Sequence, residues 1–177
     1  MAYRQEPSLR SERGQAAHGL PLRTLRCHQA QGGVVISPFE LHPRLATDTF
    51  TLGRFKLCRL LLMNDARFPW CILVPERSGI TEIHTLSDED QILLVRESSL
   101  LASRMTETFA ADKMNVAALG NVVSQLHVHH VARFRTDVAW PAPVWGCGEP
   151  VAYDDGGLAD ARARIETALA DDLGAAE

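Results

Sequence analysis

The stretch Gln125-Leu126-His127-Val128-His129-His130 decides the reading of this chain. Seven histidines occur in 177 residues, and three of them lie between positions 127 and 130. Apolar residues surround them, and residues 122–134 read as a strand. Alternate strand residues share a face. Gln125, His127 and His129 therefore point one way, about 6.6 Å apart step to step, while Leu126, Val128 and His130 point the other. A polar, titratable row on an otherwise apolar strand costs free energy unless it is hydrogen-bonded or opens on a cleft. Three readings compete: satisfied histidines of surface or core, a metal site, and catalysis by imidazole. Two strand histidines can chelate zinc, but further ligands are then needed, and His84, Asp137 and Glu149 have no spacing that singles them out.

Working outward, residues 113–117 read as a strand joined to the histidine strand by a tight turn at Leu119-Gly120-Asn121. Residues 85–112 form the clearest helix. Ser87-Asp88-Glu89-Asp90 resembles a capping box, with Asp in place of Glu or Gln. Leu94, Leu101, Met105 and Phe109 then recur at helical spacing. Residues 49–63 read as two short strands with a turn at Gly53-Arg54. Asn64-Asp65-Ala66-Arg67 is a turn, and residues 70–74 are a strand closed by Pro75. Downstream come a Pro/Trp segment from Trp140 to Trp145 and a short helix over residues 159–173. In that helix Leu158, Ile165, Leu169 and Leu173 share one side. Strands, then a helix, then strands give an α+β order. The expected fold is an antiparallel sheet of about five strands with one long helix packed across it.

The bulk numbers set bounds. The length suits one domain. With 46% hydrophobic and 23% charged residues, the composition is that of a globular protein. No apolar run reaches the ~18 residues of a membrane span. A net charge of −4 argues against a general nucleic-acid binder. Cys27, Cys58, Cys71 and Cys147 are scattered, which fits a reduced, cytoplasmic chain. Residues 1–37 stand apart, with five arginines against two glutamates and little periodicity. They read as a disordered extension or an organelle-targeting peptide. A domain is expected over residues 38–150 and a helical tail over 151–177.

The segment from Asn115 through Gly120 to His129 resembles the signature strand pair of the histidine triad (HIT) superfamily. There a glycine-rich turn feeds a strand patterned His-φ-His-φ-His-φ-φ, with φ apolar. Met63-Asn64-Asp65-Ala66-Arg67-Phe68-Pro69-Trp70-Cys71-Ile72-Leu73-Val74-Pro75 is similar to the strand–turn–strand that lines the family's nucleotide pocket. The helix after Leu86-Ser87-Asp88-Glu89 falls where the family places its long helix. The likeness spans about residues 39–146 and points to the bacterial branch similar to diadenosine-tetraphosphate hydrolases. Three departures stand out: Gln125 replaces the first histidine of the triad, Trp70-Cys71 stands where the family often has Gly-His, and His130 is an extra histidine.

The resemblance implies an enzyme whose middle histidine attacks the α-phosphorus of a nucleotide, forming a nucleotidyl-imidazole that water then hydrolyses. By match the nucleophile is His127, with His129 donating to a phosphate oxygen or the leaving group and Gln125 positioning. Backbone N–H groups at Gly120, Asn121 and Val122 would stabilise transition-state charge. Asn64 and Asn115 would hold the nucleotide, with ordinary turn chemistry an equal reading for Asn64. Arg133, by strand parity, either binds a distal phosphate or is a solvated strand end, the stronger reading. Trp140 and Trp145 either stack on a base or pack the tail against the body or a partner, and packing is the stronger reading. Expected substrates are dinucleoside polyphosphates or nucleoside phosphoramidates. No resident cofactor or metal is expected, although a divalent cation can accompany a polyphosphate. A homodimer through the amphipathic helix and the Trp/Pro segment is the implied assembly. Two alternatives stay open: a nucleotide-binding module with little turnover, and a metal-dependent nucleotidylyltransferase.

Overall fold

The computed structural model describes residues 38–174, so the extension expected over residues 1–37 lies outside the described residues. Apolar runs separated by turn residues form five strands: β1 (Thr49–Arg54), β2 (Cys58–Met63), β3 (Trp70–Pro75), β4 (Lys113–Ala117) and β5 (Val128–Arg133). They make one sheet in the order β1-β2-β3-β5-β4, and every neighbouring pair is antiparallel. Three α-helices accompany it: α1 (Pro43–Asp48), α2 (Asp88–Phe109) and α3 (Asp155–Ala168). The α+β architecture expected from the sequence, with one long helix on a five-stranded sheet, is the one adopted.

Both faces of the sheet are covered, which is why β3 reads as a continuous apolar run and is buried throughout. On one face Leu60, Leu62, Leu73 and Val128 meet Leu101 and Met105 of α2 and Ile165 of α3 in a single cluster. Helix α3 therefore belongs to the main core, although the sequence reading set residues 151–177 apart. It also begins earlier than expected. The Asp154 carboxylate accepts from Gly157 N at 2.7 Å and starts the helix through a Gly-Gly pair that reads as a loop. On the other face Leu61, Phe68, Trp70 and Ile72 pack with Leu45 of α1 and with Val123, Ala139 and Val144 from loops.

Helix α2 starts where its chemistry dictates. Ser87 Oγ accepts from Asp90 N at 3.2 Å, and three acids occupy the first turn, complementing the helix dipole. The expected stripe is buried at Leu94, Leu101 and Met105. Glu97 lies in the same stripe, 7% exposed. Its two carboxylate oxygens accept from Leu57 N at 2.8 Å and Cys58 N at 3.0 Å. This long helix thus ties down the turn between β1 and β2. The turn falls at residues 55–57 rather than at Gly53-Arg54. Gly53 sits inside β1 at a register irregularity, where an added Cβ would lie 3.0 Å from Gly174 O.

The histidine strand is shorter than expected. β5 begins at Val128, and residues 118–127 form a loop rather than a tight turn and more strand. Pairing with β3 ends at Leu73↔Val128. Upstream of it, Leu126 N donates instead to Ile80 O at 2.9 Å, and the Gln125 side chain bonds outside the ladder. Parity does send His130 to the helical face. Its Nε2 sits 2.7 Å from Ser98 Oγ on α2, and its Nδ1 donates to Val128 O at 3.2 Å. The extra histidine fastens the long helix to the strand that carries His129.

Two predictions follow from this packing. Replacing Glu97 by Ala leaves two buried N–H groups without an acceptor and should cost about 3 kcal/mol, with Glu97→Gln costing less; urea denaturation at pH 7 checks both. Burial pushes the His130 ring down to about 4, against the bonds to Val128 and Ser98, which raise it. An unfolded histidine titrates near pH 6.5, so the unfolded chain takes up this proton first. The stability involved is present above pH 6.5 and is lost as pH falls towards 4, about 2 kcal/mol between pH 7 and 5. In His130→Gln the pH dependence of the urea midpoint should flatten by that amount.

Candidate active site

His127 immediately precedes β5 and His129 lies within it. Both are 7% exposed, both line a cavity of about 360 Å³, and their rings meet edge to face with centroids 4.8 Å apart. His127 Nδ1 sits 2.7 Å from the backbone carbonyl of Gln125. A carbonyl oxygen only accepts, so this bond requires the proton on Nδ1 and leaves a lone pair on Nε2. No described residue hydrogen-bonds Nε2. In the uncharged ring, Nε2 is thus the atom that carries the lone pair.

His129 has the opposite tautomer. Its Nδ1 accepts from the indole Nε1–H of Trp70 at 3.0 Å. Indole only donates, so Nδ1 is bare and the neutral ring carries its proton on Nε2. Burial, then the neighbouring rings of His127 and His130, push its pKa down to about 3. At neutral pH the ring is therefore an uncharged N–H donor. Trp70 reaches it because β3 pairs antiparallel with β5, with Ile72 opposite His129 and Trp70 opposite Val131.

Apolar walls complete the cavity: Leu45, Met63, Ile72 and Val123. Trp145 closes one side, edge-on to both Trp70 and His129 at 5.7 and 5.5 Å. Packing is thus only part of its role, since it forms part of the site. Arg44 and Asp48 of α1 stand at the rim and pair with each other at 3.3 Å. Gly120, Asn121 and Val122 line the cavity as the sequence led us to expect, with Gly120 at φ 72°, a left-handed conformation that suits glycine.

Four other expected site residues are placed differently. Gln125 does not share the pocket face, because it precedes the strand. Its Nε2 donates to Glu40 O and its Oε1 accepts from His42 N, each at 2.9 Å. His42 in turn accepts from Arg44 N and caps α1. The side chain at the first triad position thus secures a cavity wall, while its backbone orients His127. Arg133 does have the expected parity, but it is 1% exposed and spent. It donates twice to Asp137, once to Asn115 Oδ1 and once to Ala142 O. The Arg133 guanidinium holds the Asp137 carboxyl below the usual carboxylate range. Asn115 accepts from Arg133 through Oδ1, and neither residue lines the cavity that holds the two histidines. Asn64 Oδ1 accepts from Tyr153 N at 3.0 Å and anchors the C-terminal segment outside the cavity.

Among the described residues no three His, Cys, Asp or Glu side chains converge as a metal-binding group. Among them, too, no helix is long and apolar enough to cross a membrane. A larger cavity of about 590 Å³, lined by Tyr153, Asp160 and Arg164 among others, has no histidine in its wall. Trp70 was the residue that sequence reasoning missed. The parity signal for Trp70 was available, since it falls on the same face of β3 as Ile72. For Trp145 packing was the stronger reading, since an irregular Pro/Gly-rich loop carries it to the site.

Residues 44–136 match the HIT domain family. Similar solved structures include a histidine triad protein from Marinobacter aquaeolei VT8, 51% identical, covering 77% of this chain and 100% of its own, with a TM-score of 0.75. A second, from Sinorhizobium meliloti 1021, is 43% identical, covers 74% of this chain and 97% of its own, and has a TM-score of 0.72. A third, from Bradyrhizobium japonicum, is 40% identical, covers 74% of this chain and 98% of its own, and has a TM-score of 0.72. No curated protein matches the chain. The family match across the histidine strand and the agreement of the sheet around it lead to one conclusion: this chain belongs to the histidine triad (HIT) family.

Proposed function

We propose that this protein is a nucleotidyl hydrolase or transferase that attacks the α-phosphorus of dinucleoside polyphosphates or nucleoside phosphoramidates. The observation that carries this reading is the bond from His127 Nδ1 to the Gln125 carbonyl, which leaves Nε2 as a lone pair at the cavity. Nε2 attacks the phosphorus, the leaving group departs, and water then cleaves the phosphorus–nitrogen bond of the intermediate. The Nε2–H of His129 donates to the phosphate as its charge grows. Backbone N–H groups of Gly120, Asn121 and Val122 add donors along the same wall. The apolar side chains opposite them suit a purine or pyrimidine ring.

The chemistry needs no resident metal, and a divalent cation enters only with the polyphosphate of the substrate. We assign the protein to the cytoplasm, which agrees with the free thiols of Cys58, Cys71 and Cys147. Its homodimer would use the open edge of β4 and the outer face of α2, where Val116, Ile92 and Val95 are exposed. From the Trp/Pro segment expected to share that role, Trp145 lines the cavity.

Two experiments test this reading. Denaturing after incubation with an α-³²P-labelled dinucleoside polyphosphate should leave label on wild type and none on His127→Ala. Tight nucleotide binding with neither label nor product would point instead to a binding module. Gln125→Ala keeps the carbonyl that orients His127 but releases α1, at about 1 kcal/mol. It should therefore raise KM about fivefold with little change in kcat; a collapse of kcat alone would contradict the division between backbone and side chain.

A further inference from the structure

We propose that Trp70 is a positioning residue that locks His129 as an Nε2–H donor, confining the site to leaving groups that depart as anions. The inference rests on covalent attack by His127 and deepens that reading.

The lock follows from three observations. The indole Nε1–H of Trp70 points at His129 Nδ1 at 3.0 Å, and indole has no acceptor to offer in return. The ring is held from its other sides by edge contacts with His127 and Trp145, at 4.8 and 5.5 Å. Trp70 itself is buried in β3, wholly inside the sheet, so its indole has little freedom to turn away. A proton on His129 Nδ1 would meet the indole proton head-on. His129 consequently has one proton to share, on Nε2, and no ready route to the imidazolium. Giving that proton away outright would leave an imidazolate, which is far too basic near neutral pH. His129 donates a hydrogen bond and keeps its proton.

The consequence appears at the leaving group. With a phosphoanhydride, His127 Nε2 forms the nitrogen–phosphorus bond, and the bond from the α-phosphorus to the bridging oxygen breaks. The electron pair stays on the departing phosphate, which is stable as an anion and needs no proton. Water then adds to phosphorus, the electron pair of the nitrogen–phosphorus bond returns to Nε2, and the water proton passes to solvent. With a phosphoramidate the breaking bond would leave its electron pair on an amine nitrogen. That nitrogen cannot depart unless a proton arrives, and His129 has none to give. Other cavity side chains do not fill the gap. Thr49 donates its hydroxyl proton to Leu45 O, and Arg44 and Asp48 pair with each other.

A general acid is commonly worth about 10²–10⁴ in rate. Wild-type protein should therefore show a kcat/KM for a dinucleoside tetraphosphate at least about 100-fold above that for a phosphoramidate of the same nucleoside. Trp70→Phe keeps an aromatic ring in the sheet but removes the N–H. It should lower kcat/KM for the tetraphosphate severalfold, because part of the His129 population then carries its proton on Nδ1 and presents no donor at Nε2. The direct readout is the nitrogen NMR spectrum of ¹⁵N-histidine-labelled wild type at pH 7. It should show His129 with Nδ1 bare and Nε2 protonated, and Trp70→Phe should show a mixture of tautomers. If Trp70→Phe does not fold, the wild-type spectrum and the wild-type ratio decide the matter. A protonated Nδ1 in wild type would overturn the lock. A phosphoramidate cleaved as well as the polyphosphate would overturn the selectivity. Absence of labelled His127 would defeat the underlying mechanism and leave the nitrogen spectrum untouched, so the two failures are distinguishable.

Discussion

The register of β3 on β5 governs everything at the site. Ile72 stands opposite His129 and Cys71 opposite His130. A slip of one residue would carry every side chain of β5 to the opposite face. His130 would then enter the cavity, and His129 would be pressed against α2 with no indole to meet it. The apolar residues of β3 resist such a slip because the two faces of the sheet bury different partners, helices on one side and loops on the other. A polar site of two neutral rings is held in place by hydrophobic pairing around it.

Much of this was legible in the sequence, and the exceptions have physical causes. The long helix was readable because hydrophobic period and capping chemistry agree at Ser87, Leu94, Leu101 and Met105. The opposed faces of His129 and His130 were readable from parity alone. Parity failed at Gln125, which lies beyond the last ladder pair and so has no strand geometry to obey. Parity also located Arg133 on the correct face yet said nothing of Asp137, four residues on, which captures it. Glu97 was hidden because a charged residue in a core stripe is read as noise until the two N–H groups it serves are known.

The two histidines also show how one residue type is assigned different roles by its first hydrogen bond. An acceptor at Nδ1, the Gln125 carbonyl, makes His127 a lone-pair bearer at Nε2. A donor at Nδ1, the Trp70 indole, makes His129 a proton bearer at Nε2. Neither assignment requires a charge. In a cavity walled by Leu45, Met63 and Ile72 that matters, since an uncompensated charge there would be costly.

Trp145 has a further bearing on how the molecule is divided. The family match ends at residue 136, yet a wall of the cavity stands at residue 145. The loop that carries it is moored to the turn after β2: Arg67 holds Asp65 and donates to Cys147 O, and Asp65 accepts from Val151 N. The family domain and the chemical compartment therefore have different borders. Of the residues that line the chamber, Trp145 alone comes from chain beyond that match. Cutting the chain at the family boundary would keep both histidines and open their chamber on the Trp145 side.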